Sequence, residues 1–232
     1  MIIAGGEGER LRPLTADRPK TMVPVGGRPI LEHELEWLAA EGVTDVIILC
    51  GYRGETIMEH VGDGSRFGVR VRYSPEARPL GRGGALRQGY GLVPTGEKVI
   101  VGLNGDVLTN QPLRPMLRYH HRKMATATVM LTQLRSPYGI AKVERSGRIV
   151  TFSEKPLLPY WMNAGVYLFS PEFFRRLPVT GDHEDTAFPS LTVQGKLFGY
   201  RSKAYWHTVD TIKDLTEVER ELREEAPGLG RR

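Results

Sequence analysis

The sequence predicts a single α/β domain on a mixed, mostly parallel central sheet. Three observations carry this. From Met1 to Ala125, short apolar runs alternate with amphipathic segments, as successive βαβ units require. Beyond Thr126 the pattern turns to Thr- and Val-rich alternation with hairpin turns, so part of the sheet is antiparallel. No internal repeat, β-helix hexapeptide or low-complexity linker divides the chain.

The elements follow in order. Met1–Ala4 is a strand running into glycines. Ile30 to Glu41 is a helix with Leu31, Leu35 and Leu38 on one face and Gly42 as its stop. Val46 to Cys50 is a buried strand, Glu55 to Val61 a short helix and Val69 to Tyr73 a strand. Gly84 to Gly91 reads as helix, Val99 to Leu103 as a buried strand and Leu113 to Lys123 as a basic helix. Thr126 to Leu134 is a strand. Ile140 to Glu144 and Arg148 to Phe152 flank an Arg145-Ser146-Gly147 turn, and Asn163 to Phe169 is another strand. The last helix spans Thr211 to Glu224, with Ile212, Leu215, Val218 and Leu222 along one stripe. The domain is expected over residues 1–225, with 226–232 as a flexible tail.

Composition narrows the function. The longest apolar run, Val46–Cys50, falls far short of the ~18 residues of a membrane helix, so no membrane partner is expected. Met1 leads straight into a strand and glycine loop rather than a secretory leader, which points to a cytoplasmic protein. The single cysteine, Cys50, excludes an internal disulfide and reads as a small core residue. A net charge of +5 spread along the chain, rather than in one stripe, argues against a nucleic-acid partner. A small phosphate-bearing substrate accounts for it.

The chemistry concentrates in Ala4-Gly5-Gly6-Glu7-Gly8-Glu9-Arg10-Leu11-Arg12-Pro13-Leu14-Thr15, followed by Arg18-Pro19-Lys20. A strand ending in glycines lets backbone N–H groups converge on phosphate oxygens without side chains in the way. Arg10 and Lys20 add the full charge that a pyrophosphate leaving group needs. The loop lacks the third glycine of a dinucleotide fingerprint and the Gly-Lys-Ser/Thr of a P-loop. Asp106 stands just past a buried strand, where open α/β sheets bind ligands.

These residues resemble the signature of the sugar-1-phosphate nucleotidyltransferases, also called NDP-sugar pyrophosphorylases. Further matches run in the family's order: Val25-Gly26-Gly27-Arg28-Pro29-Ile30, Leu80-Gly81-Arg82-Gly83-Gly84-Ala85-Leu86, Leu103-Asn104-Gly105-Asp106, Phe152-Ser153-Glu154-Lys155-Pro156, Asn163-Ala164-Gly165 and Tyr205-Trp206 through Asp210-Thr211. The Leu103–Leu108 stretch, Tyr138-Gly139, Phe188-Pro189 and Gly195-Lys196-Leu197 are most similar to the mannose-1-phosphate guanylyltransferase branch. The resemblance implies a Rossmann-like nucleotidyltransferase fold of the glycosyltransferase-A type. It also implies transfer of a nucleotidyl group from an NTP to a sugar 1-phosphate, with pyrophosphate released.

It implies roles as well. Arg10, Lys20, Asp106 and Lys155 would be catalytic. Ala4, Gly5, Gly6, Gly8, Glu9, Gly81 and Asp106 would bind the nucleotide. Gly139, Glu154, Lys155 and Asn163 would bind the sugar phosphate. Asp106 and Asp210 would hold Mg²⁺. Glu76 faces the base on this reading, and Trp206 lines the sugar site. A homo-oligomer stays open, as do base and sugar. The alternatives are a glucose-1-phosphate uridylyl-, thymidylyl- or cytidylyltransferase, and a non-catalytic NDP-sugar-binding regulatory subunit.

The chain departs from the family pattern at Glu9, where Thr or Ser is usual, at Thr21 after Pro-Lys, and at Arg82-Gly83 in the base-reading loop. Some residues are read as structural. Asp210 doubles as a candidate N-cap for the last helix. His120-His121 reads as a solvated helix face, and His183-Glu184-Asp185 as an acidic helix start.

Overall fold

The computed structural model describes residues 1–224. The expected tail, and residue 225 of the expected domain, lie outside the described residues. The chain opens with β1 (Ile2–Ala4), a 3-10 turn at Glu9–Leu11, a second at Lys20–Met22, and a small hairpin of β2 (Pro24–Val25) and β3 (Arg28–Pro29). Next come α1 (Ile30–Ala40), β4 (Asp45–Cys50), α2 (Gly54–Val61), β5 (Arg70–Pro75), α3 (Gly81–Tyr90), β6 (Ile100–Asn104), β7 (Val107–Thr109) and α4 (Leu113–Lys123). The second half adds β8 (Ala127–Arg135), β9 (Ile140–Val143), β10 (Ile149–Ser153), β11 (Leu157–Phe169), α5 (Pro171–Phe174), α6 (Ala187–Val193), β12 (Leu197–Arg201), β13 (Trp206–Thr208) and α7 (Ile212–Arg223).

Seven strands form the central sheet in the order β12-β8-β11-β6-β1-β4-β5. Only β11 runs against the others, pairing antiparallel with both β6 and β8. The mixed, mostly parallel sheet is therefore as expected. Alternate side chains of each strand feed opposite faces. Val46, Ile48, Val166 and Leu168 pack with Leu31, Leu35 and Leu38 of α1 and Met116 of α4. Ile47, Leu49, Tyr167 and Phe169 pack with Leu86 of α3, Phe173 of α5 and Leu191 of α6. Cys50 is buried in the first of these cores.

A third cluster holds Leu11, Val23, Val25, Ile30, Leu108, Val209 and Val218. It docks α7 against the β2–β3 hairpin and the β7–β13 pair, and so brings the turn carrying Lys20 to the turn carrying Asp210. By contrast, β9 and β10 form an outlying ribbon whose strand residues are all exposed.

Some elements extend past their sequence pattern. Strand β11 begins at Leu157 rather than Asn163: its first half, apolar in sequence but interrupted by Pro159, pairs with β8 while mostly facing solvent. Helix α3 starts at Gly81, since Gly83 and Gly84 are helical where composition argues otherwise. An added Cβ on either would meet the 179–183 segment at under 3.0 Å, so the glycines permit close packing.

Candidate active site

The carboxyl ends of β1 and β6 open into a cleft of about 800 Å³. Gly5, Gly6, Arg10, Lys20, Gly81, Asp106, Asn163 and Asp210 all line it. The chain passes from β6 into the Asp106 turn through Gly105. A Cβ there would stand 2.6 Å from the Ile3 carbonyl oxygen, so only glycine lets the turn lie against β1.

The centre is a charge cluster. The Lys20 ammonium donates to an Asp106 carboxylate oxygen and, at 2.6 Å, to Asp210 Oδ1. Arg10 Nη2 donates to the same Asp210 oxygen at 2.7 Å. Burial alone would lower the Lys20 pKa, but the two aspartates outweigh it and raise it. Both carboxylates thus converge on one cation position. Oxygen donors from two aspartates, with room for phosphate and water oxygens, suit Mg²⁺. Asp210 keeps its carboxylate free for this because it is not the cap of α7. That cap is Thr211, in a reciprocal capping box with Asp214.

On the opposite wall, Glu76 lines the cleft and accepts the Leu80 N–H at 2.8 Å. Burial raises its pKa. Gly81, at φ +74°, sits with its Cα face against Gly181. Arg82 pairs with Asp182 at 2.8 Å and Glu184 at 2.9 Å, so its guanidinium is committed to the 182–184 turn. Trp206 lines the cleft, its indole N–H held by the Ala164 carbonyl at 2.7 Å. Asn163 is fixed at both ends, accepting from Gly165 N–H at 2.9 Å and donating to the Tyr167 hydroxyl at 2.8 Å.

The remaining expected site residues stand apart from the cleft lining. Ala4 is buried at the end of β1, and Gly8 takes a left-handed turn capped by the Thr15 hydroxyl. Glu9 is exposed. Gly139 and Glu154 meet at the foot of the β9–β10 ribbon, where a Cβ on Gly139 would lie 2.8 Å from Glu154 Oε2. Lys155 is exposed beside them, in a positive-φ conformation.

Two structural expectations are corrected. His120 is not on a solvated face. It is 2% exposed and bonded to the Thr128 and Ser170 hydroxyls, because the chain returns past α4 in β8, 8 positions on, and again after β11, 50 positions on. His183-Glu184-Asp185 does not start a helix. The helix begins at Ala187, while His183 is enclosed by Tyr167, Phe169, Phe173 and Phe188. Arg78, Asn104 and Asp182 line the cleft without having been singled out. Asn104 was visible beside Gly105-Asp106, whereas nothing local marks Asp182.

The fold and cleft define an α/β protein with a glycine-lined cleft closed by a lysine–aspartate cluster. The chain matches the nucleotidyl transferase family over residues 1–225 and belongs to that family. It is 33% identical to a mannose-1-phosphate guanylyltransferase of Mycobacterium tuberculosis, over 96% of this chain and 64% of that protein. It is 34% identical to the Xenopus laevis mannose-1-phosphate guanyltransferase beta-B, over 93% of this chain and 62% of that protein. The chain therefore spans somewhat under two thirds of these relatives. Among solved structures, it superposes on a Bacillus anthracis protein described as a glucose-1-phosphate thymidylyltransferase and solved with sucrose. That match has TM-score 0.76 and 25% identity, over 98% of this chain and 96% of the other. HddC from Yersinia pseudotuberculosis complexed with GMP-PN shares the fold, with TM-score 0.77 and 22% identity over 95% and 97%.

Proposed function

We propose that the chain transfers a nucleotidyl group from an NTP to a sugar 1-phosphate, with GTP and mannose 1-phosphate as the preferred pair. The observation that carries this is the convergence of Asp106 and Asp210 on Lys20, with Arg10 alongside, at the mouth of the glycine-lined cleft.

In this reading Gly5 and Gly6 present backbone to the triphosphate, the Gly8 turn carries the chain on to Arg10, and Gly81 packs against the base. Asp106 and Asp210 hold Mg²⁺, which lowers the charge repulsion between the two phosphates when bound. The sugar phosphate is already an anionic nucleophile, so no general base is needed. Its oxygen attacks the α-phosphorus in line, and pyrophosphate leaves toward Arg10 and Lys20. Lys155 screens the sugar phosphate, while Glu154, Asn163 and the Gly139 backbone take the sugar.

Glu76 favours guanine. A carboxylate offers only acceptors, and guanine presents adjacent N1–H and N2–H donors on one edge. Uracil and thymine flank their single N–H with two carbonyls, which a carboxylate repels. The named relatives, mannose-1-phosphate guanylyltransferases, point the same way.

The test is pyrophosphate release with Mg²⁺ across GTP, UTP, dTTP, CTP and ATP, each with mannose, glucose or N-acetylglucosamine 1-phosphate. GTP with mannose 1-phosphate should give the highest kcat/KM. A higher value for another pair overturns the substrate assignment. Binding of NDP-sugars without turnover in any pair overturns the enzymatic reading in favour of a regulatory subunit.

A further inference from the structure

Glu34 is the only fully buried acidic side chain among the described residues, at 1% exposure. It lies on the same face of α1 as Leu31 and Leu38, beneath the Asp106 turn. Carboxyl groups are rarely buried unless paired, yet Glu34 has no ion-pair partner among the described residues. The nearby Lys20 ammonium is already shared between Asp106 and Asp210. Glu34 Oε1 accepts the Val107 N–H at 3.2 Å, and Oε2 has no hydrogen-bond partner among the described residues. Burial first, and then the Asp106 carboxylate, push its pKa well above the ordinary range.

An apolar side chain of similar size would fill this space with less penalty. What it could not do is satisfy Val107. Beside the Lys20 ammonium on the Asp106 carboxylate and the β7–β13 pairing, three hydrogen bonds fix the backbone of the Asp106 turn. Gly105 N–H donates to the Ile3 carbonyl at 3.0 Å, Val209 N–H donates to the Asp106 carbonyl at 3.1 Å, and Val107 N–H donates to Glu34. The first two are main chain to main chain. Glu34 supplies the one of these three that depends on a side chain, and it grips the residue next to Asp106.

We infer that Glu34 is a positioning residue for Asp106, gripping the backbone from beneath so that the two aspartates converge on one small cation. The link to catalysis rests on the function proposed above, whereas the anchoring does not.

Glu34→Gln keeps a carbonyl acceptor, and Glu34→Met and Glu34→Leu remove it. Three readouts separate the possibilities: Val107 amide hydrogen exchange, Mn²⁺ binding to the substrate-free protein, and kcat against KM. Glu34→Gln should match wild type in all three. The two apolar variants should melt at or above the wild-type temperature. They should also exchange Val107 faster, bind Mn²⁺ about 10–100-fold more weakly and lose kcat by a similar factor. A purely structural role predicts the opposite pairing, lower stability with unchanged Mn²⁺ affinity. Wild-type Val107 exchange and Mn²⁺ affinity in either folded apolar variant overturn the inference. Wild-type protein that binds no Mn²⁺ overturns the metal assignment, while Val107 exchange still decides whether Glu34 anchors the turn.

Discussion

Replacing Lys20 with methionine removes the ammonium shared by Asp106 and Asp210, and the consequence can be worked out from the geometry. Lys20 is 14% exposed, and the two aspartates are 22% and 27% exposed. A hydrogen bond to a charged group nets about 1.5–3 kcal/mol, and breaking a buried ion pair costs about 3–5 kcal/mol. Water reaches these aspartates in part, so the loss should be about 2–3 kcal/mol. For a chain of this length that lowers Tm by roughly 5–10 °C. The stranded carboxylate pair should then gain more from a divalent cation than the wild-type pair does. A site filled to 100 times its Kd is stabilised by about 2.7 kcal/mol. Differential scanning fluorimetry with and without Mg²⁺ measures both effects. Methionine at position 20 should lower Tm without Mg²⁺ and recover most of it with Mg²⁺. Turnover should still fall about 10²–10³-fold, because pyrophosphate loses a cation. A variant that melts with wild type, or gains no more from Mg²⁺, would show that Lys20 does not hold the two aspartates together.

Further outcomes follow from other parts of the site. Arg10→Ala should reduce kcat about 10²–10³-fold in steady-state assays while leaving Tm nearly unchanged, since its side chain is largely exposed. Glu76→Gln should narrow the kcat/KM preference for GTP over UTP by at least about 10-fold, because an amide can donate to a uracil carbonyl. Removing the cap with Thr211→Ala should cost about 1 kcal/mol in urea unfolding and raise the Mg²⁺ concentration needed for half-maximal rate. Burial first lowers the His120 pKa to about 4 and the His183 pKa to about 3, with Arg82 adding to the latter. Both folded values lie below the unfolded one, so the unfolded chain binds more protons between them. The stability these two histidines contribute is full above about pH 6.5 and is lost as pH falls, by up to about 1.4 kcal/mol per pH unit for each histidine. His183→Phe, matched to its aromatic surroundings, should flatten the slope between pH 6 and 4 by up to about 1.4 kcal/mol per pH unit. An unchanged slope would place the acid sensitivity elsewhere.

The parts of this molecule written in local pattern were readable from the sequence. The strands Ile2–Ala4 and Asp45–Cys50 and the helix Ile30–Ala40 follow from apolar periodicity. Arg10, Lys20 and Asp106 follow from residue types whose chemistry has few other uses beside a glycine loop. Their meeting was not written in local pattern and followed only from the family resemblance, because Lys20 and Asp210 are 190 positions apart and are joined by the packing of α7 onto the β2–β3 hairpin. His120 and His183 are buried against their local pattern for a different reason: their flanking residues are polar or charged, while the groups that enclose them come from neighbouring elements that fold back over them. Glu34 was hidden differently. It falls on the apolar face of α1 by helical spacing, but Glu32 and Glu36 on either side disguise it as one more solvated acid.

The most direct test of the central claim uses GTP labelled at the α-phosphorus, mannose 1-phosphate and Mg²⁺, comparing wild type with Asp106→Asn and Asp210→Asn. Label should appear in GDP-mannose, with one pyrophosphate released per sugar nucleotide formed and a collapse of turnover in both variants. Label transfer that persists undiminished in both would show that the lysine–aspartate cluster is not where the chemistry occurs.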